Sequence, residues 1–148
     1  MIVRPATIAD LAVIARVQGV SPEASQWDPA NYLDYRCTVA EEGGNVLGFL
    51  VSRPTAADEN EILNLAVDPA ARRRGVARRL LQTALAREKS RWFLEVRESN
   101  RAAIELYLTL GFVQYGRRAT YYHNPPEPGI VMKFDSCYCH DAPGTQID

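Results

Sequence analysis

The sequence predicts an α/β fold, with a mixed central β-sheet of about six to seven strands flanked by about four helices. Three observations predict it. The apolar period switches repeatedly between two and 3.6 residues, giving the order β-α-α-β-β-β-α-β-α-β-β. Residues 61–97 form a strand–helix–strand unit of the length that a parallel crossover requires. Residues 36–52 read as a β-hairpin, which adds antiparallel pairing to the same sheet.

Each element has a local cause. Ile2, Val3 and Arg4 open with a short strand. Thr7 caps a helix whose stripe is Ile8, Leu11, Ile14 and Ala15, with Asp10 in its first turn. Pro22 and Pro29 bracket a loop holding Trp27, and a short helix is expected from Pro29 to Tyr35. Cys37, Val39 and Glu41 alternate with Thr38 and Ala40; Glu42-Gly43-Gly44-Asn45 turns the chain, and Val46–Val51 returns. Residues 53–60 read as a polar loop. Residues 61–67 are an apolar strand stopped by Asp68-Pro69. Val76, Leu80, Leu81, Ala84 and Leu85 make one helical face, and Trp92–Val96 reads as a strand buried on both sides apart from Glu95. A helix capped by Asn100 carries Ile104, Tyr107 and Leu108 to Gly111. Residues 112–122 and 129–134 supply the last strands. The expected organisation is one domain over residues 1–135, with a polar, loose tail at 136–148.

The bulk numbers narrow the function. A chain of 148 residues, 47% of them hydrophobic, suits one ordinary domain that buries about 70% of its unfolded surface. A formal net charge of −1 argues against a nucleic-acid partner, whose binding domains are strongly basic over a face. Three cysteines, Cys37, Cys137 and Cys139, make no disulfide framework. With no signal segment at Met1-Ile2-Val3-Arg4-Pro5 and no apolar run of about 18 residues, a cytoplasmic protein without a membrane partner is expected. Cys137-Tyr138-Cys139-His140 is too tightly spaced for a zinc knuckle and lacks a second pair, so no metal is expected.

The stretch "ARRRGVARRLL", residues 71–81, gathers five arginines around Gly75 at a strand-to-helix junction. The first backbone N–H groups of a helix lack intrahelical acceptors, and the helix dipole adds positive charge there. Gly75 permits close approach of a ligand, Ala77 keeps the first turn thin, and Arg72, Arg73, Arg74, Arg78 and Arg79 surround the junction. A compact diphosphate fits this better than a duplex. The stretch lacks the Gly-Lys-Ser/Thr of a P-loop and the three glycines of a dinucleotide fingerprint. A solvated basic helix start is the plain alternative.

Arg72-Arg73-Arg74-Gly75-Val76-Ala77 resembles the Gln/Arg-x-x-Gly-x-Gly/Ala pattern of the GNAT superfamily, the Gcn5-related N-acetyltransferases. "LEVRESNRAAIELYLTLGF" (94–112) and "RRATYY" (117–122) resemble the RimI type of ribosomal-protein alanine N-acetyltransferase. The likeness covers about residues 46–134. It implies a GNAT fold with splayed central strands, a monomer, and acetyl-CoA as cosubstrate. It further implies that residues 72–78 hold the diphosphate, that Leu65, Ala66 and Val67 present backbone groups to the pantetheine arm, and that Asn100 touches coenzyme A. The implied acceptor is a protein N-terminus, the alanine of a ribosomal protein. Another amine, such as a lysine or a small molecule, is the alternative, and a non-catalytic acetyl-CoA-binding module is a further one.

Acetyl transfer needs a neutral nitrogen. At pH 7 about one-tenth of α-amino groups are neutral, against roughly one lysine in 2,500. Glu95, a carboxylate interrupting an apolar strand, is the candidate base; the plain reading pairs it with Arg97 or Arg117. The resemblance makes Tyr107 the acid that serves the leaving thiolate; a packed core tyrosine is its plain reading, as a helix cap is for Asn100. Tyr121 and Tyr122 match the paired tyrosines of the peptide groove, and Trp27 an aromatic on the acceptor side. One departure stands out. Glu127-Pro128-Gly129-Ile130 replaces the family's acidic-Asp-Ala segment, which predicts a differently shaped acceptor loop.

Overall fold

The computed structural model describes residues 1–123 and 126–135. Cys137, Cys139, His140 and the expected tail lie outside the described residues. The strands are β1 (Ile2–Pro5), β2 (Arg36–Glu42), β3 (Asn45–Ala56), β4 (Glu59–Val67), β5 (Arg91–Arg97), β6 (Val113–Tyr122) and β7 (Glu127–Asp135). The helices are α1 (Leu11–Gly19), α2 (Val76–Arg87) and α3 (Arg101–Thr109), with 3-10 turns at Ile8–Asp10, Pro29–Asp34 and Pro69–Ala71. The strands form a seven-stranded sheet in the order β1-β2-β3-β4-β5-β7-β6. The chain packs as two units: Met1–Arg53 with Ile62–Ala84, and Pro54–Glu61 with the chain from Leu85 onward.

In the first unit, β2 pairs antiparallel with both β1 and β3. The register sets Cys37 beside Val51 and Val39 beside Phe49. These side chains pack with Ile14 and Val17 of α1, Tyr32 and Ala66 into one buried cluster. Burial pushes the Cys37 thiol up to about 12, which leaves it an inert core group rather than a nucleophile. Arg4 locks the start of the chain. Its guanidinium donates to both Asp10 oxygens at 2.8 and 2.9 Å and to Glu41 at 2.6 Å. At Gly48 a side chain has no room: a Cβ there would lie 2.8 Å from the Ala66 carbonyl oxygen.

The second unit is built on β5 and β7, paired from Arg91↔Asp135 to Arg97↔Gly129. The parallel β4–β5 ladder joins Glu59–Glu61 to Arg91–Phe93. Trp92, Leu94 and Val96 are buried on the same face as Met132 and Ile130. The Trp92 indole donates to the Glu88 carbonyl at 3.0 Å. Gly111, at φ 107°, ends α3 and turns the chain into Phe112.

Three expectations need correction. The segment 53–60 is mostly strand rather than loop: β3 runs to Ala56 and β4 starts at Glu59, with a turn at residues 57–58 between them. Residues 53–56 are exposed in succession, so no burial imposes an alternating pattern that a reader would recognise. Pro29–Asp34 is a 3-10 turn rather than an α-helix, started by Pro29 and by Asp28 accepting the Ala30 N–H at 3.0 Å. Finally, β5 is not buried on both sides. Phe93, Glu95 and Arg97 occupy a half-open face opposite Trp92, Leu94 and Val96. Glu95 therefore keeps the strand's period instead of interrupting it.

Candidate active site

The anion-binding turn lies in the first unit. Val67 ends β4, and Asp68 fixes the bend by accepting the Ala70 N–H at 3.0 Å. The chain then takes the left-handed conformation twice within three residues, at Arg73 (φ 65°) and Gly75 (φ 80°). Arg73 bears a side chain in that region, an arrangement that costs about 1–2 kcal/mol. The first backbone hydrogen bond into α2 runs from Arg79 N–H to the Gly75 carbonyl at 3.0 Å. The amides of Val76 and Ala77 precede it and have no acceptor within the helix. Gly75 is open, since a Cβ there would meet no heavy atom within 4 Å. Such geometry suits a diphosphate. The arginines are less uniform than their spacing suggests. Arg72 pairs with Glu23 at 3.0 Å and Arg74 with Glu42, so part of the local charge is neutralised within the protein.

Next to the turn, Leu65, Ala66 and Val67 close β4. The Leu65 N–H is engaged by the Asn64 side chain at 3.0 Å, and the Val67 carbonyl accepts from Arg72 Nε at 3.4 Å. Asn64 is buried. It also accepts the Ser25 N–H at 3.2 Å and donates to the Ser25 carbonyl at 2.9 Å. Its amide nitrogen meets Gln18 Oε1 and the Tyr32 hydroxyl, each at 3.1 Å, and the Tyr32 hydroxyl donates to Gln18 Oε1. Gln18 Nε2 then holds the Trp27 carbonyl at 2.6 Å. This buried network anchors the loop after α1 at the Trp27 carbonyl, and the Trp27 side chain is half-exposed.

Glu95 belongs to the second unit. Its side chain is 15% exposed, and Oε2 is buried without a hydrogen-bond donor. The nearby cation is Arg118, whose Nε lies 3.3 Å from Oε2. The expected partners are engaged elsewhere: Arg97 with Glu127 at 3.2 Å and Arg117 with Glu98 at 3.0 Å. Burial raises the proton affinity of Glu95 from its ordinary value; Arg118 opposes this and Glu61 reinforces it. A carboxylate so placed is a better proton acceptor than one in water.

Tyr107 is buried on α3 against Phe112, ring centroids 5.7 Å apart. Burial, with the neighbouring Tyr122, raises the phenol well above its ordinary value, so it keeps its proton at neutral pH. The Tyr121 and Tyr122 rings meet edge to face at 5.0 Å, under Arg118 and Arg97 respectively. Burial and the charge of Glu95 push Tyr122 up to about 12. The Asn100 carboxamide caps α3 by accepting the Ala103 N–H at 3.3 Å.

The sequence from Ile8 to Phe112 matches the acetyltransferase (GNAT) family over residues 8–112. The chain belongs to the GNAT acetyltransferases. It is 40% identical over 110 residues to the [ribosomal protein bS18]-alanine N-acetyltransferase of Haemophilus ducreyi, covering 70% of this chain and 73% of that one. With the Escherichia coli K12 protein of the same name it shares 37% over 107 residues, 68% and 70% of the two chains. The crystal structure of the ribosomal-protein-S18-alanine N-acetyltransferase from Escherichia coli superposes with a TM-score of 0.78 at 27% identity, covering 90% and 92%. Chaetomium thermophilum Naa20, crystallised with a bisubstrate analogue, shares the fold alone, with a TM-score of 0.83 at 21% identity over 95% and 90%. This GNAT enzyme is therefore an acetyl-CoA-dependent N-acetyltransferase. Among the described residues no His, Cys, Asp and Glu group is arranged to hold a metal, and no helix is long and apolar enough to cross a membrane.

The candidate residues of this GNAT domain fall into its two units. Residues 65–67, 72–78 and Trp27 lie in the first; Glu95, Asn100, Tyr107, Tyr121 and Tyr122 lie in the second. Sequence reasoning missed Asn64 and the pairing of Arg118 with Glu95, and it read Glu127 and Gly129 only as part of an altered loop. Asn64 had a signal: it falls on the buried period of β4 with Ile62 and Ala66. Glu127 accepts both Arg97 and the Ser99 N–H, the latter at 2.6 Å, and no spacing along the chain announces that pairing.

Proposed function

We propose that this enzyme acetylates the α-amino group of a protein N-terminus, an N-terminal alanine of a ribosomal protein being the favoured acceptor. The observation that carries the chemistry is Glu95, a carboxylate with a buried, undonated oxygen and raised proton affinity. The choice of acceptor rests on the names of the relatives at 37–40% identity. Two left-handed residues and the open Gly75 fit the diphosphate of acetyl-CoA, which supplies the thioester-bound acetyl group when bound. The amides of Gly75, Val76, Ala77 and Arg78 would hold that diphosphate, with Arg73 beside it. Leu65–Val67 offer backbone groups to the pantetheine arm; with the Leu65 N–H already engaged, Ala66 and Val67 carry most of that role. Glu95 takes a proton from the incoming ammonium, directly or through water, and leaves the amine neutral to attack. Tyr107, protonated at neutral pH, would serve as the proton donor to the departing thiolate. Tyr121 and Tyr122 are the residues assigned to acceptor binding, and Trp27 is a further one.

The test offers acetyl-CoA with peptides beginning Ala-Arg, Ser and Met, and an N-terminally blocked peptide with one free lysine, and follows thiol release. The Ala-Arg peptide is turned over and the blocked one is not; turnover of free small amines alone would overturn the acceptor. Glu95→Gln lowers kcat by about 10²–10⁴-fold, the worth of a positioned base, with unchanged acetyl-CoA affinity. Wild-type kcat in that variant removes Glu95 from the chemistry.

A further inference from the structure

Glu95 and Arg118 meet across an intervening strand. In the ladder, Glu95 lies beside Val131 and Arg97 beside Gly129, while Gly129 lies beside Arg118 on its other flank. The contact is thus diagonal, between residues of β5 and β6 with β7 between them. Neighbouring strands are about 4.8 Å apart, so the two backbones stand about 10 Å apart. Only a residue without a side chain can lie under such a contact. Gly129 is that residue: a Cβ there would meet Glu95 Oε2 at 3.0 Å and Tyr121 Cδ2 at 3.1 Å. The β6 ladder is irregular just beyond Arg118, between Arg118 and Tyr122. The Arg118 guanidinium also lies over the Tyr121 ring, 5.1 Å from its centroid, and its side chain is 62% exposed.

We propose that Arg118 is a positioning residue for Glu95: its guanidinium reaches over Gly129 to hold the carboxylate, and the acceptor's ammonium takes the guanidinium's place. The proposal rests on Glu95 being the base. Three observations support an exchangeable contact. The pair is close but makes no hydrogen bond, so Oε2 keeps its acceptor capacity. Arg118 is solvent-accessible and can swing away at small cost, unlike the more enclosed Arg97–Glu127 pair. The aromatic platform of Tyr121 beneath the guanidinium attracts an ammonium as well as an arginine. The ionisable groups facing Glu95 are Arg118 and Tyr122 from β6 and Glu61 from β4. From β7 it meets Val131 and Gly129, neither of which titrates. Arg118 is thus the cation opposing the effects of burial and of Glu61.

The experiment follows the Glu95 side-chain carboxyl by ¹³C NMR across pH, and kcat and KM for the Ala-Arg peptide, in wild type, Arg118→Ala, Arg118→Lys and Gly129→Ala. In Arg118→Ala, Glu95 titrates at higher pH, and the acid limb of kcat/KM moves up with it. Above that limb the peptide KM falls about two- to fivefold, the range an exposed ion pair covers. Arg118→Lys restores the limb. Gly129→Ala displaces the carboxylate and moves the titration as Arg118→Ala does. A Glu95 titration that stays put in Arg118→Ala, or a peptide KM that rises, overturns the exchange alone. A titration that moves, alongside a fully active Glu95→Gln enzyme, overturns the base and the exchange with it.

Discussion

Replacing Asn64 with alanine tests the network that anchors the Trp27 loop. The change leaves the Ser25 N–H and carbonyl and the Leu65 N–H without the amide that meets them at 2.9–3.2 Å. Gln18 and Tyr32 still satisfy each other. Each half-buried backbone group left without its partner costs about 1 kcal/mol or somewhat more, so the loss is about 3 kcal/mol. For a domain of this size that lowers Tm by about 6–12 °C. Urea unfolding reads it as a lower midpoint at unchanged slope, and amide exchange at Ser25 and Leu65 speeds up selectively. Asn64→Asp makes a sharper comparison. It keeps an acceptor for Ser25 N–H and Leu65 N–H but sets a carboxylate against the Ser25 carbonyl and Gln18 Oε1. Its defect is therefore deepest at pH 7 and shrinks as acid protonates it. A loss below about 1 kcal/mol for Asn64→Ala, with unchanged exchange at Ser25, would refute the reasoning.

Two other predictions concern the turn and the N-terminal clamp. Gly75→Val forces a β-branched residue to φ 80° in otherwise open space, so it distorts the turn without a clash. Calorimetry should find acetyl-CoA binding weakened about tenfold or more, equivalent to about 1.4 kcal/mol; unchanged affinity would exclude the turn as the diphosphate site. The Arg4 guanidinium donates to Asp10 and lowers its carboxyl to about 2. A folded value below the unfolded one stabilises the protein fully above the unfolded pKa, near 3.9, and that contribution is lost as pH falls through about 2. The pair contributes about 2 kcal/mol at neutral pH. Asp10→Asn loses it at pH 7 and flattens the acid limb of the stability curve; an unchanged limb would refute the assignment.

How much was legible depended on whether the cause lay along the chain or across it. The turn at 72–77 was readable because glycine, a thin first helical turn and the preceding apolar strand are consecutive. The helix from Arg101 was readable from its asparagine cap and closing glycine. Residues 53–56 were not, since a strand exposed on both faces has no pattern. At Glu95 the position was legible and the partner was not: Arg118 approaches from two strands away, over a residue whose relevant property is a missing side chain. Asn64 carried a signal of its own, since a polar residue on a buried period needs partners for its hydrogen bonds.

The Glu127 clasp sets an order on assembly. Its carboxylate fastens Arg97 and the Ser99 amide, just ahead of the asparagine that starts α3. During synthesis that corner is made some thirty residues before its fastening emerges. A chain halted short of the last strand would keep the Asn100 cap of α3 but lack the Glu127 clasp ahead of it. Losing the last strand would remove this fastening together with the strand that separates Glu95 from Arg118.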